Sequence, residues 1–87
     1  MRMATDSVWR EEDESLIRDY EFKDFAAAMG FVNRVADAAE EADHHPDILV
    51  HGWNKVRLTL TTHSAGKLTE NDRAMAERID AILGTSP

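Results

Sequence analysis

The sequence predicts an α+β fold, a four-stranded antiparallel sheet with two helices packed on one face. Short segments rich in β-branched and aromatic residues alternate apolar and polar side chains, which is typical of strands with one buried face. Two longer segments repeat apolar residues at helical spacing. The segments follow in the order β-β-α-β-β-α without a long crossover connection, which favours an antiparallel sheet with both helices on the same side.

Chain length and cysteine content predict one small domain that associates with copies of itself. Residues 1–87 form a single domain, and a chain of this size buries only roughly 60–65% of the surface it exposes when unfolded. The sequence has no Cys, so neither disulfides nor a thiolate metal site can reinforce the core. We therefore expect a homo-oligomer, because association is a common way for a small chain to gain buried area.

The charge and the hydropathy pattern exclude two classes of partner. The net charge is −7 at pH 7, which repels phosphate backbones, so we expect no nucleic acid partner. No apolar run approaches the ~20 residues of a membrane span, and the N-terminus lacks the apolar core of a secretion signal. We expect no membrane association and a cytoplasmic location.

The first two strands are predicted to form a hairpin. Residues 7–10 form a short strand, and the acidic residues 11–14 form the turn that follows it, because four carboxylates resist burial. Residues 15–22 form the second strand, whose buried face carries Leu16, Tyr20 and Phe22.

The main helix is predicted from Asp24 to about Glu41, where the apolar period changes from two to about 3.6 residues. Its predicted buried stripe contains Phe25, Met29, Val32, Val35, Ala36 and Ala39. A second set widens the apolar sector beyond what one sheet face needs: Ala27, Phe31, Ala38 and Ala42. Either this sector is a surface that is merely rich in Ala, or residues 24–41 contact a second subunit. Given the small core, we favour the contact.

Pro46 ends the main helix, because the residue before a proline is biased away from the helical conformation. The third strand is then residues 48–51, and Gly52 breaks it. The fourth strand is residues 54–62, in which Val56, Leu58 and Leu60 alternate with polar side chains. By the same alternation, His63 projects to the polar face.

The last helix begins after Thr69, a suitable N-cap residue, with Asp72 placed to complete a capping box. Its predicted buried stripe contains Met75, Ile79, Ile82 and Leu83. Gly84 suits the position just after the helix C-terminus.

Three of the four histidines are the candidates for chemistry. Glu40 and His44 are four residues apart, so a carboxylate on the same helix face could orient the imidazole. His45 leaves the helix end, where the unpaired carbonyls favour a protonated ring. If the fourth strand brings His63 to that helix end, imidazoles with a reference pKa near ~6.5 converge, which suits general acid and base catalysis at neutral pH.

Structural explanations compete with this one. A His at a helix end commonly assists the C-cap, and an isolated His on a strand is usually solvent-exposed. Three histidines also suggest a zinc site, but adjacent His44 and His45 would need opposed side chains to bind one ion, so we predict no metal. Trp53 is either half-exposed core or a platform for a flat heterocycle, and helix capping alone would explain Asp72.

The motif Glu40-x-x-x-His44-His45-Pro46, followed by Trp53, His63 and Asp72, resembles the signature of the pterin-4a-carbinolamine dehydratases. The flanking stretches 22–25, 53–56, 60–63 and 68–72 are also similar, and the resemblance extends from about Trp9 to Asp80.

The resemblance implies dehydration of a 4a-hydroxytetrahydropterin to the quinonoid dihydropterin, which recycles the cofactor of aromatic amino acid hydroxylases. It implies no metal or organic cofactor. His44 and His63 would be general acids that act from either face of the pterin, and His45 would bind it. Glu40 and Asp72 would orient the histidines, and Trp53 would wall the pocket.

The resemblance also implies a tetramer, in which strand pairing forms dimers and the long helices join them. Two departures stand out: the helix that usually precedes the tryptophan matching Trp9 is absent, and Lys67 occupies a loop position where a second glycine is common. Because some relatives act as dimerisation cofactors or enzyme-assembly factors, a non-catalytic interaction module is the alternative function.

Overall fold

The structure, a computed structural model, describes residues 8–84. The elements follow in the predicted order: β1 Arg10–Glu12, β2 Ser15–Glu21, α1 Phe25–Ala42, β3 Asp47–His51, β4 Lys55–Leu60 and α2 Glu70–Gly84. The strands form one antiparallel sheet in the order β1-β2-β4-β3. The predicted α+β fold is confirmed. Within residues 8–84, neither helix is long and apolar enough to cross a membrane.

Strand pairing fixes which sheet face is buried. Leu16 lies opposite Leu60, and Tyr20 lies opposite Val56, so these apolar side chains share the face that packs against the helices. The other face carries the intervening residues, where Asp19 bonds to Arg57 at 2.7 Å and to Arg10 at 3.1 Å. This group of charged pairs therefore occupies the face turned away from the helices, whereas the Arg18–Asp80 pair lies on the helix side.

The first strand differs from its prediction. β1 contains Glu11 and Glu12, which were predicted to lie in the turn, whereas Ser7 lies outside the described residues. The turn is confined to Asp13 and Glu14, both with positive φ. Glu11 and Glu12 can enter the strand because β1 is an edge strand and both side chains remain exposed.

The buried face of α1 was predicted only in part. Its buried residues are Ala28, Phe31, Val35, Ala38 and Ala39. Val35 and Ala39 are buried as predicted, but Phe31 and Ala38, which were assigned to the sector facing a second subunit, are buried in the core of the same chain. Phe31 packs against Tyr20, with ring centroids 4.7 Å apart, and against Phe22 at 5.2 Å. Phe25 and Ala36, predicted to be buried, are exposed. Apolar residues on both flanks made two orientations compatible with the sequence, and contact with the sheet aromatics selects one.

Both ends of α1 have specific backbone caps. Asp24 is the N-cap, and its carboxylate accepts a hydrogen bond from the Ala27 N–H at 2.8 Å. At the other end Asp43 takes the left-handed conformation, with φ 53°, and donates its N–H to the Glu40 carbonyl. The His44 N–H donates to the Ala39 carbonyl, which completes a Schellman motif. This cap turns the chain sharply, so His44 no longer continues the helix.

The last helix agrees with its prediction at the core and differs at its end. Met75 and Ile79 are buried, while Ile82 and Leu83 pack against the core from partly buried positions. α2 continues through Gly84, which was predicted to follow the helix. The difference is a single residue at the helix end and leaves the buried stripe unchanged.

The N-cap of α1 gives a test of the fold. Replacing Asp24 with Ala should lower the free energy of unfolding by about 0.5–2 kcal/mol, because the Ala27 N–H loses its acceptor. Asp24→Ser should retain most of the stability. Urea denaturation followed by circular dichroism measures both. Asp37→Ala removes an exposed carboxylate from the same helix and serves as the control; an equal loss in both Ala variants would contradict the capping role.

Candidate active site

The buried carboxylate of Asp72 is the centre of the candidate site. Asp72 lies in the first turn of α2, and its side chain is fully buried. One oxygen, Oδ1, lies 2.6 Å from Nε2 of His44. The other, Oδ2, accepts hydrogen bonds from the Thr69 N–H at 2.9 Å and from the Thr62 hydroxyl at 2.7 Å. Asp72 therefore connects the start of α2, the segment just after β4 and the segment just after α1.

The hydrogen bonds keep Asp72 ionised despite its burial. Burial raises the pKa of this carboxyl, but the hydrogen bonds from His44, Thr62 and Thr69 oppose that effect, and the net result is a pKa below the usual value. An ionised carboxylate only accepts hydrogen bonds, so Nε2 of His44 carries the proton between them. Nδ1 is then the ring nitrogen left to exchange a proton with a ligand.

Glu40 does not orient His44, and this prediction is wrong. Its Oε2 lies 2.6 Å from Nε2 of His45 instead, and both side chains are largely exposed. The i, i+4 argument assumed a helix that continues to His44, but the left-handed Asp43 removes His44 from that face. Each of the two adjacent histidines therefore has its own carboxylate partner.

His63 is exposed, and it follows Thr62, which is hydrogen-bonded to Asp72. It begins the loop that follows Thr62, whose N–H donates to the Lys67 carbonyl at 3.3 Å, while Gly66 donates back to the Thr62 carbonyl at 2.8 Å. Among residues 8–84, the imidazole of His63 has no hydrogen-bond partner. The backbone of His63 is therefore connected to Asp72 through Thr62, whereas its ring is not.

Trp53 lies at the opposite end of the β3–β4 hairpin from His44. Within one chain, the two ends of this hairpin are separated by the length of the five-residue strand β3, which is roughly 15 Å at the usual rise per residue. Trp53 has φ 58°, which is uncommon for a bulky residue, and its side chain is 61% exposed. A single chain therefore does not bring Trp53 to His44.

A cavity of about 200 Å³ lies between the end of α1 and the start of α2. His44 forms part of its wall, whereas His45, His63 and Trp53 do not. Arg78 stands on another side and is bound to Glu41. The lining residues are Ala42, Asp43, His44, Asn71, Ala74, Met75 and Arg78.

The separate carboxylate partners of His44 and His45 do not resemble a zinc site. Within the part of the chain that the structure describes, no group of three or more His, Cys, Asp or Glu side chains could hold a metal ion.

Thr62 is the site residue that the sequence analysis missed. Strand alternation carried the signal, because Thr62 continues the phase of Val56, Leu58 and Leu60 toward the helices. Its hydroxyl meets Asp72 ten residues further along the chain. A polar residue in phase with the core at a strand end could have been identified as a partner for a buried carboxylate.

Comparison with known proteins agrees on one family. A family model described as pterin 4 alpha carbinolamine dehydratase matches residues 1–82. A relative from Thermomicrobium roseum that carries the pterin-4-alpha-carbinolamine dehydratase name is 54% identical over 71 residues, which is 82% of this chain and 75% of the relative. One from Acidobacterium capsulatum with the same name is 49% identical over 94% of this chain and 88% of its own length.

Two solved structures share the fold. The transcriptional coactivator/pterin dehydratase from Brucella melitensis has a TM-score of 0.79 and 42% identity, over 85% of this chain and 80% of that one. A pterin dehydratase-like protein identified as a RuBisCO assembly factor in the alpha-carboxysome has a TM-score of 0.74 and 30% identity, over 93% and 95%.

The depressed pKa of Asp72 predicts a specific dependence of stability on pH. Because the folded pKa lies below the unfolded value near ~3.9, this carboxylate stabilises the fold above pH ~4, and the contribution is lost as pH falls through the folded pKa. Asp72→Asn should lower the free energy of unfolding at pH 7 by about 1–3 kcal/mol, since the hydrogen bonds of the anion are lost.

Urea denaturation at a series of pH values between about 2.5 and 6 measures this effect, in the range where carboxylates titrate. The stability of Asp72→Asn should fall less steeply on acidification than that of the wild type. Asp37→Asn, at an exposed carboxylate, is the matched control. Parallel curves for Asp72→Asn and the wild type would contradict the assignment.

Proposed function

Because the chain belongs to the pterin 4 alpha carbinolamine dehydratase family, we propose that it dehydrates a 4a-hydroxytetrahydropterin to the quinonoid dihydropterin in tetrahydropterin recycling. One observation carries the proposal: buried Asp72 holds Nε2 of His44 at 2.6 Å beside a cavity, which leaves Nδ1 for proton transfer. Orientation of an imidazole by a carboxylate is the usual preparation of a histidine for acid–base work.

The reaction requires two proton transfers. The bond between C4a and its hydroxyl oxygen breaks with its electron pair on oxygen, which accepts a proton and leaves as water. The ring nitrogen next to C4a loses its proton, and the released pair forms the new carbon–nitrogen double bond. A histidine with a pKa near neutrality can serve as the donor or the acceptor, so no metal or organic cofactor is required.

In this proposal His44 and His63 are the proton-transfer groups, and His45 binds the pterin. Asp72 orients His44, which its 2.6 Å contact supports. Glu40 orients His45, with an equally short contact. Trp53 can line the same pterin site only if it comes from a second copy of the chain, because the length of the hairpin separates it from His44 within one chain. The substrate site is then completed by oligomerisation.

Stopped-flow decay of a synthetic 4a-hydroxytetrahydropterin tests the activity. The wild type should accelerate the decay, and His44→Ala and His63→Ala should each slow the catalysed rate by about 10²-fold, which is the usual contribution of one general acid or base. The double variant should approach the uncatalysed rate.

His51→Ala is the matched control, because His51 is an exposed histidine on β3 with no proposed role. Its catalysed rate should equal that of the wild type. Full activity in the double variant would eliminate the histidine mechanism.

A second candidate function is an interaction or enzyme-assembly module on the same scaffold. The structural relative identified as a RuBisCO assembly factor supports it, as do exposed apolar side chains. Phe25, Leu49 and Trp53 are 54%, 52% and 61% exposed, and exposed apolar residues are common at contact surfaces. A stoichiometric partner in a pull-down, together with no acceleration of pterin dehydration, would favour this function.

Self-association is the assembly that both functions share, through strand pairing and through residues 24–41. β3 is an edge strand with Leu49 exposed, and α1 exposes Phe25. Light scattering at micromolar concentration should give a mass that is a multiple of one chain. Leu49→Lys and Phe25→Lys should each lower that mass if the substituted residue lies in a contact, because a buried unpaired charge is costly.

Ala81→Lys adds the same charge at an exposed position of α2 and is the control. A monomeric wild type would contradict self-association and, with it, the contribution of Trp53 from a second copy.

A further inference from the structure

We propose that Thr62 is a positioning residue for His44, which it controls through the carboxylate of Asp72. The proposal rests on the dehydratase function for its catalytic consequence, but its structural content can be tested separately. Thr62 touches neither His44 nor the cavity beside it. Its effect on proton transfer would therefore be indirect.

The hydrogen bonds around Thr62 form a chain with one consistent direction. The Thr62 hydroxyl has one proton, and the ionised carboxylate requires a donor, so this proton points at Oδ2 of Asp72, 2.7 Å away. The Thr62 oxygen then accepts from the Thr69 hydroxyl, also at 2.7 Å. The Thr69 oxygen in turn accepts from the Asn71 N–H at 3.3 Å. Each hydroxyl donates once, and no proton is shared.

Thr62 also connects the carboxylate to a different element from the other donor to Oδ2. The Thr69 N–H belongs to the same helix start as Asp72, so it can hold the oxygen but moves with the helix. Thr62 follows β4, and its bond fixes the carboxylate relative to the sheet. With Oδ2 held from two directions, Oδ1 is aimed at Nε2 of His44. Loss of the Thr62 hydroxyl would leave the Thr69 N–H as the donor to Oδ2, so the carboxylate could turn about that bond and weaken its contact with His44.

The backbone of the same residue closes the loop that carries His63. The Thr62 N–H donates to the Lys67 carbonyl at 3.3 Å, and the Thr62 carbonyl accepts from Gly66 at 2.8 Å. One residue thus contacts the orienting carboxylate of His44 through its side chain and holds the His63 loop through its backbone. Substitutions that remove only the hydroxyl separate the first role from the second.

The charged groups near His44 come from both helices. Asp72 and Arg78 face it from α2, Asp43 faces it from the end of α1, and Glu41 is bound to Arg78. Removing the Thr62 hydroxyl deletes none of these charges, although Asp72 loses one hydrogen-bond donor. A change in the Nε2 proton signal of His44 would therefore report the position of the Asp72 carboxylate.

The test compares Thr62→Val, which replaces the hydroxyl by a methyl group, with Thr62→Ser, which keeps the hydroxyl. In Thr62→Val the NMR signal of the His44 Nε2 proton should broaden or disappear, because the ring loses part of its contact with the carboxylate that holds this proton. The kcat for pterin dehydration should fall about tenfold with a smaller change in KM, as for other residues that orient a reacting group. Thr62→Ser should restore both the signal and kcat.

Thr61→Val is the matched control. It removes a threonine hydroxyl one residue earlier, where the hydroxyl bonds to the Glu14 carbonyl at 2.8 Å and not to Asp72. It should leave the Nε2 proton signal of His44 and kcat unchanged. If Thr62→Val does not fold, Thr62→Ala removes the same hydroxyl without adding a methyl group beside the carboxylate, and it is read in the same way.

The two proposals fail in different ways. A wild type without dehydratase activity would refute the proposed function, while the NMR measurements would still decide the role of Thr62. A Thr62→Val protein that retains the wild-type Nε2 proton signal of His44 would overturn the positioning role, whatever its activity.

Discussion

The buried carboxylate of Asp72 is the interaction on which the site depends. Taking a charge out of water costs several kcal/mol unless hydrogen bonds replace its hydration. Here the replacement comes from the helix backbone at Thr69, from the strand end at Thr62 and from the ring of His44. The carboxylate can be satisfied only if α2, β4 and the end of α1 meet at this point. The requirement of one anion therefore couples three separate elements of the chain.

The same requirement determines which nitrogen of His44 carries the proton. Since Asp72 accepts at both oxygens, it settles which imidazole nitrogen is protonated and leaves the other for a ligand. His45 differs, because its carboxylate partner Glu40 is exposed and water competes for their hydrogen bond. Two adjacent histidines with equally short carboxylate contacts thus differ in how firmly they are held. The difference follows from burial rather than from residue type.

The scaffold leaves apolar surface that a single chain does not use. The helix face that carries Phe25 and the edge strand that carries Leu49 are both exposed, and the small core makes further burial favourable. Trp53, held with a positive φ at the hairpin end, belongs to this exposed set. A fold with a prepared histidine and free contact surfaces is suited to catalysis and to assembly, so the distinction between them has to come from the site and not from the architecture.

Local features of the sequence determined much of the fold. The change of period from two to 3.6 located α1, Asp24 capped it, and Pro46 and Gly52 bounded the strand between them. These signals act within a few residues, so they can be interpreted without knowing the rest of the chain. Asp72 at helix position N3, where it completes a capping box with Thr69, belongs to the same class.

The tertiary structure alone decided which face of α1 is buried and which carboxylate meets which histidine. Apolar residues lay on both flanks of α1, and only the packing of Phe31 on Tyr20 and Phe22 chose between them. Glu40 was assigned to His44 by helical spacing, but the left-handed cap at Asp43 redirected His44 to Asp72. The physical reason is common to both cases: each choice compares contacts with residues distant in sequence, and helical periodicity carries no information about those contacts.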